Sequence, residues 1–250
     1  MSVTDALVAG LAAFVAGLIN AIAGGGTLIS FPALVALGVP AVSANVTNTV
    51  ALVPGYLGGA YAQRKDLVTY FATLKGLLIV SAVGGLVGSV LLVNSPERLF
   101  RDLVPFLIIG ACLLLGVQDR LKAVLARRHQ SPATTLGVVG VALLFPTAVY
   151  GGYFGAGLGI MLLAVLGLAL DDPLPRINSL KSTLSLCINL VAAAFFVFSG
   201  KVQWDLAAVM AVTSLVGGTV GGRIATRLDP KVLRIVVIVF GLAVAVRFFF

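Results

Sequence analysis

Two glycine-rich stretches are places where the backbone itself could do chemistry. In the first, Gly24, Gly25 and Gly26 precede Thr27 and Leu28; in the second, Gly155, Ala156 and Gly157 precede Leu158 and Gly159. Glycine lets a chain turn at little steric cost, so each stretch reads as a break between two short helices. The second helix of such a pair begins with unpaired N–H groups and carries about half a unit of positive charge at that end. Such an end attracts anions. The N–H groups around Gly25, Gly26 and Thr27, the Thr27 hydroxyl, and the N–H groups around Gly157 are therefore candidate anion donors.

A polar cluster follows each break inside an otherwise apolar run. The first holds Asn45, Thr47, Asn48 and Thr49; the second holds Asn178, Ser179, Lys181, Ser182, Thr183 and Ser185. Helical spacing puts Asn45, Asn48 and Thr49 on one face, and Asn178, Ser182 and Ser185 on another. Such groups are costly in hydrocarbon unless they pair with neighbouring helices or line a cavity. As ligands they would supply donors without fixed charge, which suits an anion that must also be released. Lys181 adds one positive charge, either at the cytoplasmic mouth of a site or as an ordinary membrane-flanking lysine. The expected site lies between the two breaks, held by N–H groups near Thr27 and Gly157 and by Asn48, Ser182 and Thr183.

These groups must be positioned by membrane helices. The chain has 250 residues, of which 60% are hydrophobic and only 10% charged, with a mean hydropathy of +1.12. A soluble domain carries roughly 25% charged residues, so there is too little charge here to cover a water-facing surface. The apolar runs are 6–38, 41–62, 67–93, 99–117, 135–170, 177–200, 203–222 and 231–250. They are long and continuous, unlike the alternating strands of ~10 residues in a membrane barrel. A single span needs about 20 residues. The first and fifth runs are too long for one span and too short for two, and both contain a glycine break. Each is read as a helical hairpin. The segment from Met1 to Gly24 lacks a positive leader region and carries Asp5, so it is expected to stay in the mature chain.

The two halves resemble each other. Gly24–Leu28 corresponds to Gly155–Gly159, Ala44–Thr49 to Asn178–Thr183, Gly84–Gly88 to Gly217–Gly221, and Pro96 to Pro230, all near one offset. The polar segment 118–134, read as a charged cytoplasmic loop, separates a first repeat (1–117) from a second (135–250). Gly84, Gly88, Gly217 and Gly221 sit in ordinary spans and are expected only to let helices pack closely. If each hairpin returns to the side it entered, the second repeat is inverted. Arg98, Arg101, Lys201 and Arg247 then face one side and the other 13 of the 17 basic residues face the opposite one. Parallel halves would divide them 9 to 8. The uneven split obeys the positive-inside rule. The expected fold is thus an all-α polytopic membrane protein of two inverted repeats, each a glycine-broken hairpin plus three transmembrane helices. Its expected place is the inner (plasma) membrane, with both termini outside and 118–134 in the cytoplasm.

Inverted repeats with glycine-interrupted segments at matching positions point to a secondary-transporter site near the membrane midplane. All nine acids lie at or near run ends, so neither a carboxylate proton relay nor a cation cage is expected. Transport is then a uniport, or proton-linked through the anion's own protonation. No Walker sequence and no nucleophile–histidine or metal constellation is present, so the chain reads as a non-enzyme without cofactor or metal. The lone His129 has no ligand partner at metal spacing, and Cys112 and Cys187 read as small core residues. The net charge of +8 reflects membrane orientation and not nucleic-acid binding, because no basic patch is interleaved with aromatics.

The stretch Gly17-Leu18-Ile19-Asn20-Ala21-Ile22-Ala23-Gly24-Gly25-Gly26-Thr27-Leu28-Ile29-Ser30-Phe31-Pro32-Ala33-Leu34 resembles the TauE/SafE sulfite exporter family. So do Ala44-Asn45-Val46-Thr47-Asn48 and Gly200-Lys201-Val202-Gln203-Trp204. The resemblance extends over nearly the whole chain, and Gly-Gly-Gly-x-Leu-x-x-x-Pro-x-Leu is its most specific part. It implies export of sulfite, sulfoacetate or a related small organosulfur anion. The second repeat departs from the pattern by placing Leu158 where the first has Thr27. A transporter of a different small anion, or a membrane scaffold whose glycines and hydroxyls only pack helices, are the alternatives. The implied partners are the small anion and the lipid bilayer, with a homo-oligomer left open and no nucleic acid.

Overall fold

The computed structural model describes residues 2–22, 25–62, 71–127, 138–170, 174–224 and 230–249. Within them the regular elements are helices only: α1 (Val3–Ile22), α2 (Thr27–Ala36), α3 (Ala41–Ala62), α4 (Phe71–Asn94), α5 (Glu97–Arg127), α6 (Val138–Tyr153), α7 (Leu158–Ala169), α8 (Leu174–Val197), α9 (Trp204–Ile224) and α10 (Pro230–Phe249). Gly24, His129, Pro132 and the acids Asp66, Asp171, Asp172 and Asp229 lie outside the described residues.

Among the described residues, five stretches are long and apolar enough to cross a membrane: Val3–Ile22, Leu74–Asn94, Glu97–Leu125, Arg176–Val197 and Trp204–Gly221. The chain is a polytopic helical membrane protein. The two long apolar runs each divide in two, at the glycines. At ~1.5 Å per residue, α2 and α7 reach only about 15 and 18 Å, against ~30 Å of hydrocarbon. Neither can cross alone, so each must end part-way and pack on its neighbours. Apolar residues surround both: Leu28, Phe31 and Leu34 of α2, and Leu158, Leu162 and Leu166 of α7, are buried.

The helices pair in a pattern that repeats. α1 packs on α9 and α6 on α4; α3 packs on α9 and α8 on α4; α2 packs on α10 and α7 on α5; α3 meets α8 and α5 meets α10. Exchanging the first five helices for the last five turns six of these pairings into one another and leaves α3 with α8 and α5 with α10 unchanged. The glycines of the ordinary spans explain the closest of them. A Cβ on Gly217 of α9 would run into the Phe14 carbonyl of α1, and one on Gly88 of α4 into the Val149 carbonyl of α6. Gly84 and Gly221 sit against the same partner helices. These four glycines let helix backbones touch, which is how transmembrane helices associate without a hydrophobic drive between them.

The segment from residue 118, read as loop, begins instead as helix, because α5 runs on to Arg127. Gln118 to Arg127 contains no glycine or proline, and its Gln, Arg, Leu, Lys and Ala are strong helix formers. Leu125 is buried against Gly167 of α7, where a Cβ would collide with it. This extension carries two polar side chains toward the hairpin breaks. Phe31, Phe100, Tyr153 and Phe154 form an edge-to-face cluster with ring centroids 5.5–6.3 Å apart. That cluster ties α2, α5 and the second hairpin into one core.

Candidate functional site

The first break turns at Gly25, whose φ of +91° is a left-handed conformation that side chains rarely adopt. Gly26 closes the hairpin: its N–H donates to Asn20 Oδ1 at 2.7 Å, and a Cβ there would collide with the Ala16 carbonyl. The Tyr56 hydroxyl of α3 hydrogen-bonds the side chains of Thr27 and Asn20, linking three helices around the start of α2. The second break turns at Gly155 and Gly157, with φ of +76° and +75°. Here the Tyr150 hydroxyl donates to the Ala156 carbonyl at 2.6 Å. Neither α2 nor α7 has a side-chain N-cap.

Between the two breaks lies a cavity of about 310 Å³. Its wall takes Asn20 from α1, Gly25 and Thr27 from the first break, and Gly55 and Tyr56 from α3. Gly155, Gly157, Leu158 and Gly159 come from the second break, Gln118 and Lys122 from α5, and Asn178, Lys181, Ser182 and Ser185 from α8. The α8 residues recur at i, i+3, i+4 and i+7, one face of a helix. Gln118 and Lys122 are one turn apart and share a face of α5 for the same reason.

The electrostatics of this wall are one-sided. Lys181 donates to Asn178 Oδ1 at 3.3 Å, and its charge interacts with that of Lys122. Among the described residues no carboxylate lines the cavity. The nearest acid on α5, Asp119, is bound by Arg234 of α10 at 2.6 Å. Gln118 is buried, and its carboxamide oxygen has no hydrogen-bond partner. Two ammonium groups, several neutral donors and two helix N-termini thus converge on one space. A small anion is the ligand such a wall can hold.

The structure distributes the expected site residues unevenly. Gly25, Thr27, Gly157, Asn178, Lys181 and Ser182 line the cavity; Gly26, Asn45, Asn48, Thr49 and Thr183 are not among its lining residues. Asn45 donates to the Tyr153 carbonyl at 2.8 Å, and Thr49 to the Asn45 carbonyl at 2.9 Å. Thr183 donates to the Ser179 carbonyl at 3.0 Å. Asn48 is buried, and its carboxamide oxygen has no partner. The sequence reading did not single out Asn20, Tyr56, Gln118 or Lys122 as site residues. Asn20 carried a readable signal, a lone amide one turn before the glycine break. For Gln118 and Lys122 the signal was the helix-forming sequence that continues α5.

A family model described as Sulfite exporter TauE/SafE matches residues 9–248. The chain is 29% identical over 245 residues to a probable membrane transporter protein, ORF9, of Sinorhizobium sp., covering 95% of this chain and 89% of that protein. It is 29% identical over 228 residues to a probable membrane transporter protein of Haemophilus influenzae, covering 90% and 87%. With the probable membrane transporter protein YfcA of Escherichia coli K12 it shares 26% over 235 residues, covering 91% and 83%. The family match runs through both hairpins and the cavity between them, and the chain belongs to the TauE/SafE sulfite exporter family.

Proposed function

We propose that this protein is a secondary transporter that exports a small organosulfur anion, sulfite or sulfoacetate, across the cell membrane. The observation that carries the reading is the cavity between the two glycine breaks, with Lys122 and Lys181 on its wall and no described carboxylate beside them. The anion rests on the N–H groups at Thr27 and Gly157, the Thr27 and Ser182 hydroxyls and the Asn178 amide, with the two lysines supplying charge. Family membership supports the same class of cargo.

The repeats are inverted in this reading, so the site opens alternately to each side. Asn45 and Asn48 on α3 stand at the positions of Ser179 and Ser182 on α8, at one constant offset. In the opposite-facing state Asn45, Asn48 and Thr49 take the place of the α8 face, and Thr183 and Gly26 support the two breaks. No carboxylate is present on the described wall. Transport is a uniport, or is proton-linked through the anion's own protonation, since sulfite itself titrates near neutrality.

Purified protein in liposomes, supplied with radiolabelled sulfite or sulfoacetate with and without a proton gradient, tests this reading. Protein-dependent flux is expected. A membrane scaffold would give none.

A further inference from the structure

We propose that the cavity selects anions by charge, taking doubly charged anions in preference to singly charged ones of the same shape. The inference rests on the anion cavity proposed above and adds a class of cargo to it. Its basis is the pairing of Lys122 and Lys181 across one small space. They come from different helices, α5 and α8, and both line the cavity. Their charges interact, and among the described residues no carboxylate joins them on the wall.

The neighbouring acid does not balance these charges alone. Asp119 lies three residues before Lys122, close enough on α5 to neutralise it. Its carboxylate is also bound at 2.6 Å by Arg234, whose side chain is only 6% exposed. Asp119 is thus shared between Arg234 and Lys122, and with Lys181 these cations outnumber it, so net positive charge remains beside the cavity. Two like charges in a partly desolvated space repel each other. A singly charged anion cancels one ammonium and leaves the other uncompensated. A doubly charged anion cancels both, and its two acid groups match two separate cationic anchors.

The neutral wall groups do not discriminate in this way. Thr27, Asn178, Ser182 and Ser185 offer hydrogen bonds to either kind of anion. Discrimination by charge therefore falls to the lysines, and removal of Lys122, which leaves a single cation on the wall, abolishes it.

The test compares sulfoacetate with its carboxamide, sulfoacetamide, on purified full-length protein by calorimetry at neutral pH. The two probes have nearly the same shape and differ by one unit of charge. Wild-type protein is expected to bind sulfoacetate at least about tenfold more tightly. Lys122→Gln is expected to shrink that preference below about threefold, by losing sulfoacetate affinity while sulfoacetamide affinity barely moves. Equal binding of the two probes by wild-type protein, or tighter binding of the carboxamide, overturns the charge selection and leaves the anion cavity standing. Equal loss of both probes in Lys122→Gln also overturns it. If wild-type protein binds neither probe, the cavity reading fails and this inference with it. The wild-type comparison needs no variant, so it decides the matter even where Lys122→Gln does not fold.

Discussion

Arg234 of α10 binds the carboxylate of Asp119 at 2.6 Å, one helical turn from Lys122, which lines the cavity between the hairpin breaks. The pair joins α5 to α10 and divides the charge of Asp119 between Arg234 and Lys122. Arg234→Gln frees Asp119 to lie against Lys122, and sulfite affinity is expected to fall about tenfold. Adding Asp119→Asn in the same chain is expected to bring affinity back to within about threefold of wild type. Titration calorimetry on the two variants checks this. A double variant no better than Arg234→Gln would show that the pair only holds helices together.

Hydroxyls on the wall give a second prediction. Thr27→Val and Ser182→Ala each remove one donor from a charged ligand, a loss of ~1.5–3 kcal/mol, or about tenfold to a hundredfold in affinity. Folded yield should be unchanged. Asn48→Ala, away from the cavity wall, is expected to slow flux more than it weakens binding. Binding and liposome flux measured on the same preparations separate the two effects.

The glycines divide into two functional groups, which gives a third prediction. Gly25 turns the first break at φ +91° and lines the cavity, so Gly25→Val is expected to abolish substrate binding. Gly88 instead lets α4 touch the Val149 carbonyl of α6. Gly88→Val overpacks that contact, at a cost of about 1–3 kcal/mol, and should lower thermal stability while folded protein binds sulfite normally. Thermal melts with and without sulfite distinguish the pair.

Much of this architecture is legible in the sequence because membrane helices are limited by length. Runs 6–38 and 135–170 fit neither one span nor two, and glycine marks where each divides. Gly84, Gly88, Gly217 and Gly221 were readable as packing positions from their small size and spacing. The end of α5 was not, because a charged stretch after an apolar run looks the same whether it is loop or helix. The cavity wall was legible on α8, where Asn178, Ser182 and Ser185 recur at the helical period. Tyr56 and Gln118 stand alone in their runs, and only the packing of α3 and α5 against the breaks brings them to the wall. For Asn45, Thr49 and Thr183 polarity was legible but direction was not: each donates to a backbone carbonyl within or between helices.

Orientation gives a fourth prediction. In a Cys112→Ser, Cys187→Ser background, single cysteines near Ser2 and at Gln130 are expected to label from opposite sides, Ser2 from outside and Gln130 from the cytoplasm. The motive is the 13-to-4 division of basic residues under the positive-inside rule. Labelling from one side would contradict inversion of the repeats.

The central claim is that the cavity between the breaks carries the anion, and Lys181 is its innermost charge, held at 3.3 Å by Asn178. Radiolabelled sulfite counterflow in liposomes, comparing wild-type protein with Lys181→Gln at matched folded yield, tests it most directly. The account predicts robust exchange by wild-type protein and a loss of at least about tenfold in the variant. Exchange by Lys181→Gln at the wild-type rate would contradict it.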